Sequence, residues 1–254
     1  MNYQTNEQLS QLRLNAMKLE YQRQAELPAI SELTFDERFS MIVTAQINAR
    51  NEAKMKRLLR AADLREPGAS LSSIDYDPVR NLTKKEVAAL SDCEWIRKGN
   101  NLIITGATGV GKTYLMSAFG REACTRGYTV RTFRVSRMLT DLKIGLGDGS
   151  YNQILANLIK PDLLILDDFG LKRFDVPLGQ DFKEVIEERS RAHKSIGITA
   201  QLPVKDWPTT FADLTIADGV MDRIIPNAYR INLKGPSRRP VLDQTASGDS
   251  AVPA

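Results

Sequence analysis

Gly106-Ala107-Thr108-Gly109-Val110-Gly111-Lys112-Thr113 fits the pattern G-x-x-x-x-G-K-[ST]. Glycines at these positions let the backbone wrap closely around an anion, so that successive N–H groups point at phosphate oxygens. Lys112 supplies charge for the β- and γ-phosphates, and the Thr113 hydroxyl supplies a ligand for Mg2+. Such a loop works between a strand and a helix, because the helix N-terminus adds its own partial positive charge. The flanks meet that condition. Residues 102–105 are a short apolar run that reads as a strand, and a helix is expected from Lys112, through Tyr114, to a stop at Gly127. A glycine-rich turn with no ligand is the bland alternative, and the strand–loop–helix context argues against it.

Downstream, Leu163-Leu164-Ile165-Leu166-Asp167-Asp168 is the most apolar strand pattern in the chain, and it ends in two carboxylates. A buried strand delivers such carboxylates to the edge of an open sheet, where α/β folds bind ligands. Asp167 is expected to hold Mg2+, directly or through water, and Asp168 to polarise an attacking water. A solvated strand end before the turn at Gly170 is the competing reading. Ile198-Thr199-Ala200-Gln201 leads out of a further strand, and either Gln201 or Thr199 could reach a γ-phosphate or the water. Arg223 could stabilise charge on the transferring phosphoryl group. Read alone, it fits better as a surface arginine paired with Asp222 or another nearby carboxylate.

The same alternation extends outward. Strands are expected over 102–105, 129–133, 163–166, 195–199 and 228–233, and helices over 136–146 and 151–159, with another opening at Pro177. Gly145, Gly147 and Gly149 are expected to form a loose loop. Short apolar strands alternating with helices imply an α/β fold, a five-stranded parallel sheet with helices on both faces. Before it, Leu9, Leu12, Ala16 and Leu19 mark one face of a first helix that Pro28 stops. A second opens at Thr34 with Glu37 in capping-box spacing, and carries Phe35, Phe39, Ile42, Val43 and Ile47 as an apolar face. Thr83 and Glu86 repeat that spacing and open a helix through Val87, Leu90 and Ile96 that Gly99 ends. Ile74-Asp75-Tyr76 is a candidate short extended segment. These readings divide the chain into an N-terminal α-helical domain (1–68), a linker with one helix (69–99), the α/β core (100–236) and a disordered tail (237–254).

Composition bounds the chemistry. Two cysteines and one histidine leave no disulfide framework, no four-cysteine zinc site and no histidine-based triad beyond what His193 alone could supply. The polar N-terminus lacks the apolar segment of a signal peptide, and no apolar run reaches the ~18 residues of a membrane helix. A cytoplasmic protein is the expectation. Thirty-five Lys and Arg against 31 Asp and Glu give a net charge of only +4, but the excess is local. Arg50, Lys54, Lys56, Arg57 and Arg60 form one basic stretch. Arg131, Arg134, Arg137 and Lys143 form a second, and Arg230, Lys234, Arg238 and Arg239 a third. Each fits either a phosphate-backbone contact or an ordinary solvated face.

The segments GATGVGKT, LLILDDFG, ITAQLPVKDW, ADGVMDRI and AYRINLKG, in this order, resemble the IstB family of insertion-sequence transposition helper ATPases, relatives of the DnaC-type helicase loaders within the AAA+ superfamily. The resemblance extends upstream to residues 62–65, 74–76 and 93–96, and covers about 9–238. It implies an AAA+ ATPase core behind a DNA-binding helical domain, with ATP and Mg2+ as cofactors. It also implies ATP hydrolysis, slow and stimulated by assembly on DNA, homo-oligomerisation on duplex DNA, and recruitment of a transposase. In that light Arg223 is similar to the family's arginine finger, acting in trans, and Gln201 is the likelier sensor. Arg189 matches a recurrent family arginine, with salt-bridge packing as an equal reading. Asp168 stands where many AAA+ proteins use glutamate, and the chain ends too soon after the fifth strand for a full helical lid. Only Arg238 and Arg239 remain near enough for an arginine sensor. A helicase loader is the alternative function. A small-molecule kinase is a third, and lacks the arginine-rich lid insertion it would need.

Overall fold

The computed structural model describes residues 3–27, 30 and 32–238. The stop expected at Pro28, Arg239 and the tail beyond Arg238 lie outside the described residues. The chain divides into two compact units, Met1–Ala61 and Ala62–Ala254. The division falls before the expected boundary at 68, because Ala62, Leu64 and Ala69 are core residues of the larger unit.

The first unit holds α1 (Tyr3–Gln11), α2 (Asn15–Glu26) and most of α3 (Phe35–Ala62). The single helix expected up to Pro28 is thus two. Arg13 takes a left-handed conformation (φ 57°), and the Leu14 and Arg13 N–H groups close back on Leu9 O and Ser10 O, which ends α1 without a glycine. The capping box at Thr34 and Glu37 forms as expected. The apolar faces do not pack as expected: Leu12, Leu19, Phe35 and Ile47 are all more than half exposed. What joins these helices is polar. Gln46 Oε1 accepts from the Ala16 and Met17 N–H groups at the start of α2, and buried Gln24 donates to Arg38 O at 3.0 Å.

The second unit is an α/β layer structure. Strands β1 (Asn101–Gly106), β2 (Val130–Arg134), β3 (Leu163–Phe169), β4 (Ser195–Ala200) and β5 (Ala228–Leu233) form one parallel sheet in the order β2-β3-β4-β1-β5. Helix α6 (Lys112–Thr125) packs on one face. Helices α7 (Val135–Asp148), α8 (Tyr151–Ile159), α9 (Val176–Arg191) and α10 (Leu214–Ile224) belong to the core on the other. Leu164 and Leu166 of β3 join that second core, while Ile165 lies against the α6 face, so the strand is buried on both sides as its unbroken apolar run requires.

Four local expectations need correction. Gly145 and Gly147 lie inside α7 rather than in a loop, and only Gly149 caps it. At Gly145 a Cβ would sit 3.0 Å from the Tyr151 backbone, so the glycine is what lets α8 approach. The helix expected from 83 to 99 is split into α4 (Lys84–Ser91) and α5 (Glu94–Arg97) by left-handed Cys93 (φ 59°). That break turns Trp95 into the core, where its indole N–H donates to Leu90 O. Residues 74–76 form no strand and run between 3-10 turns at Leu71–Ser73 and Pro78–Arg80. The start of the expected disordered tail is packed. Arg238 N–H donates to Gly109 O.

Arg189 closes the far end of the sheet. Its fully buried guanidinium donates to the carbonyls of Leu158, Ile159, Pro161, Asp162 and Ser195, joining the end of α8 to the starts of β3 and β4. Burial pushes its pKa down to about 9. The role is packing onto carbonyls, in place of the expected alternative of a salt bridge. Replacing it, as Arg189→Met, orphans those acceptors and is expected to cost on the order of 3 kcal/mol or more. Urea unfolding monitored by circular dichroism would read this as a lower midpoint at unchanged slope.

Candidate nucleotide site

The phosphate loop leaves β1 at Gly106 and enters α6 at Lys112. Gly106 has φ 147°, and a Cβ there would lie 2.3 Å from the Leu233 carbonyl oxygen of neighbouring β5. Only glycine permits that approach. Gly111 caps α6 in the left-handed region (φ 96°). Val110 points into the protein and Lys112 is nearly buried, its Nζ 2.7 Å from Ala107 O.

Beside the loop, β3 carries a bulge. Leu166 pairs with Ile198 and Phe169 with Ala200, so three steps on β3 match two on β4. Asp167 and Asp168 occupy the bulge, and Asp168 is left-handed (φ 61°). The bulge is fixed from below by an aromatic cluster. Phe169 lies 4.6 Å from Trp207 between ring centroids, and Phe174 stacks on Phe211 at 4.5 Å. Thr199 of β4 fixes it from the side. Its hydroxyl donates to Asp167 Oδ1 at 2.5 Å and accepts from the Asp168 N–H at 3.1 Å. Thr113 Oγ1 donates to the same Asp167 oxygen at 3.0 Å. The paired hydroxyl and carboxylate of Thr113 and Asp167 are hard oxygen donors, the kind Mg2+ takes at phosphate sites alongside water and phosphate oxygens.

These groups line one cavity of about 590 Å3, a volume suited to a nucleotide. Thr108, Gly109, Gly111, Lys112, Thr113, Tyr114, Asp167, Asp168 and Gln201 all contribute to its wall. The structure therefore brings together the loop, both carboxylates and the candidate sensor. Arg223 is elsewhere. It lies on α10, its Nη2 3.0 Å from Glu187 Oε1 and its Nη1 2.7 Å from Gly219 O.

Arg134 is the clearest relocation. Read with Arg137 and Lys143 as a DNA contact, it lines the cavity, its Nη2 2.9 Å from Asp168 Oδ2. The cause is register: Arg134 ends β2 directly beside Asp167. Arg137 and Lys143 are exposed on α7, and Arg50, Lys54, Lys56, Arg57 and Arg60 are exposed on α3. Lys56 is paired with Glu52 and Arg137 with Asp141.

Sequence reasoning missed the opposite wall except for Arg238, named above as a sensor candidate. Arg65, Glu66, Ser73, Asp75 and Arg80 line it, together with Arg238, whose Nη1 lies 2.5 Å from Asp75 Oδ2. The resemblance at residues 62–65 and 74–76 was the one signal that pointed there. The sequence offers Thr199 as a possible ligand contact; in the structure its hydroxyl holds the Asp167 carboxylate and the Asp168 backbone N–H.

Residues 7–246 match the family described as IstB-like ATP binding protein. A protein named for ATP binding in insertion sequence IS1162 of Pseudomonas fluorescens is 39% identical over 218 residues, covering 82% of this chain and 94% of that one. Its counterpart in insertion sequence IS21 of Pseudomonas aeruginosa is 26% identical over 91% of this chain and 86% of its own. Among solved structures, DnaI superposes with a TM-score of 0.58 at 23% identity, over 70% of this chain and 94% of its own. The DnaC helicase loader superposes at 0.54 with 18% identity, over 65% and 97%. At these identities the structural likeness speaks for the fold alone, a five-stranded parallel α/β core.

Thr199→Val keeps shape and removes the hydroxyl. The chain should stay folded, while Mg2+-dependent nucleotide binding weakens by roughly tenfold, the usual effect of removing a group that orients a metal ligand. Calorimetric titration with ATP at several Mg2+ concentrations checks this; unchanged Mg2+ dependence would refute the positioning role.

Proposed function

This chain belongs to the family of IstB-like ATP binding proteins, and we propose that it is an ATP-dependent DNA-binding ATPase that assembles on target duplex DNA and recruits a transposase. The observation that carries the reading is the single cavity joining the phosphate loop, the Thr113–Asp167 pair, Asp168 and Gln201. ATP occupies it, with Mg2+ held by Thr113 and Asp167. Asp168 orients the attacking water, and Gln201 contacts the γ-phosphate or that water. Hydrolysis is slow and is stimulated by assembly on DNA.

Self-assembly is supported by Arg223. It does not line its own chain's cavity among the described residues, and its guanidinium is about one-third exposed. A residue so placed acts on the site of a neighbouring copy. DNA binding is supported by the exposed cations. Arg50, Lys54 and Arg57 share one helix face at spacings of four and three, and Lys56 and Arg60 are exposed elsewhere on the same helix. Arg137 and Lys143 are exposed on α7. Contacts of this kind are to phosphates, so binding weakens steeply with salt. No helix among the described residues is long and apolar enough to cross a membrane. The protein works in the cytoplasm, associated with DNA.

Lys112→Ala is expected to abolish ATP-dependent assembly on duplex DNA. Electron microscopy and sedimentation, comparing ATP with ADP, read the outcome. ATP-dependent rings or filaments formed by this variant would sink the scheme. Capture of a replicative helicase in place of a transposase would favour the loader alternative.

A further inference from the structure

Arg80 ends the turn Pro78–Arg80 and is 6% exposed, yet it lines the nucleotide cavity. Its Nη2 donates to Val110 O, in the crest of the phosphate loop, at 3.2 Å. Its Nη1 donates to Asp75 O, and its Nε has no hydrogen-bond partner. A Cβ on Gly111 would come within 3.0 Å of Nη2, so the guanidinium lies directly against the loop.

Both acceptors are neutral carbonyls. The nearest carboxylates, Asp75 and Asp77, are directed at Arg238, at 2.5 and 4.0 Å. Burial disfavours the Arg80 charge most and Arg238 next, while Asp75, Asp77 and Tyr76 favour it at a distance without bonding to it, and the balance holds its pKa below the ordinary value. Arginine does not shed its proton to relieve such a position. A buried cation without a direct counter-ion is costly, and adding an anion nearby recovers that cost.

We propose that Arg80 is a positioning cation of the phosphate site, holding the loop crest through Val110 and supplying a buried positive charge that a bound nucleoside polyphosphate neutralises. The inference rests on the nucleotide reading of the cavity. It makes Arg80 a residue that burdens the empty chain and stabilises the loaded one. A purely structural pin would stabilise both.

That difference in sign is the test. Arg80→Gln keeps an amide donor and removes the charge; Arg80→Lys keeps the charge and loses the planar fork. Thermal melting of the full-length chain without nucleotide is combined with calorimetric titration of Mg-ATP, with Lys112→Ala as a control for loss of phosphate binding. Arg80→Gln is expected to melt at or above the wild-type temperature when empty and to bind ATP at least about tenfold more weakly, as loss of a nearby charge implies. Arg80→Lys is expected to bind within about threefold of wild type. ATP affinity unchanged in Arg80→Gln overturns the proposal, as does Arg80→Lys binding as weakly as Arg80→Gln. A lower melting temperature of the empty Arg80→Gln chain does so too, since it marks a structural pin. Failure of the wild-type chain to bind ATP overturns the nucleotide reading itself, and the proposal with it.

Discussion

The Asp167 carboxylate is the joint on which the site depends. One oxygen accepts hydroxyl protons from Thr113 at the start of α6 and from Thr199 at the end of β4. It thereby links the phosphate loop, β3 and β4 at the sheet edge where α/β folds bind ligands. Two hydroxyl donors compensate the burial of this carboxylate, which is 2% exposed. The β3 bulge follows from this demand. An unbulged strand would turn Asp167 and Asp168 to opposite faces of the sheet. The extra residue lets both line the cavity, with the strained Asp168 backbone held by Thr199 and the aromatic cluster behind it.

The sheet and the loop were legible because their signals are local. Apolar runs of strand length marked β1 to β5, and β5 was read with its observed limits; the glycine pattern marked the one place where the backbone must wrap an anion. Helix ends were legible only where glycine or a capping box announced them. At Arg13, Cys93 and His193 the chain takes the left-handed conformation with side chains that rarely adopt it. Nothing in the order of residues signals those turns, because tertiary packing imposes them: at Cys93 the gain is burial of Trp95 with its N–H satisfied. The second wall of the cavity was illegible for a related reason. It is built where residues 74–81 meet 234–238, about 150 positions apart, by hydrogen bonds such as Lys234 N–H to Arg80 O.

The arginines show how little a charge total says about function. Arg189 and Arg80 are interior, and serve carbonyls. Arg134 and Arg238 face the cavity from opposite sides, each against an aspartate. Two of the three basic stretches read from the sequence therefore contribute members to the nucleotide site, which weakens the case that those stretches are continuous DNA surfaces. The stretch on α3 loses none of its members in this way. Its cations stand exposed on one long helix, which is the arrangement a phosphate backbone can meet without reshaping the protein.

Burial also separates the arginines that can change partners from those that cannot. Breaking the Arg189 cage would orphan several buried carbonyls at once, so that residue is committed to the fold. The Arg223–Glu187 pair is about one-third exposed on both sides, and pairs of that kind contribute roughly 1 kcal/mol or less. A phosphate in a desolvated site between subunits can compete with that easily. Under the proposed assembly, Glu187 holds the guanidinium on the α9–α10 surface in the free chain without fixing it there. An arginine that must act on a second copy needs this combination, ordered enough to be presented and weakly enough held to leave.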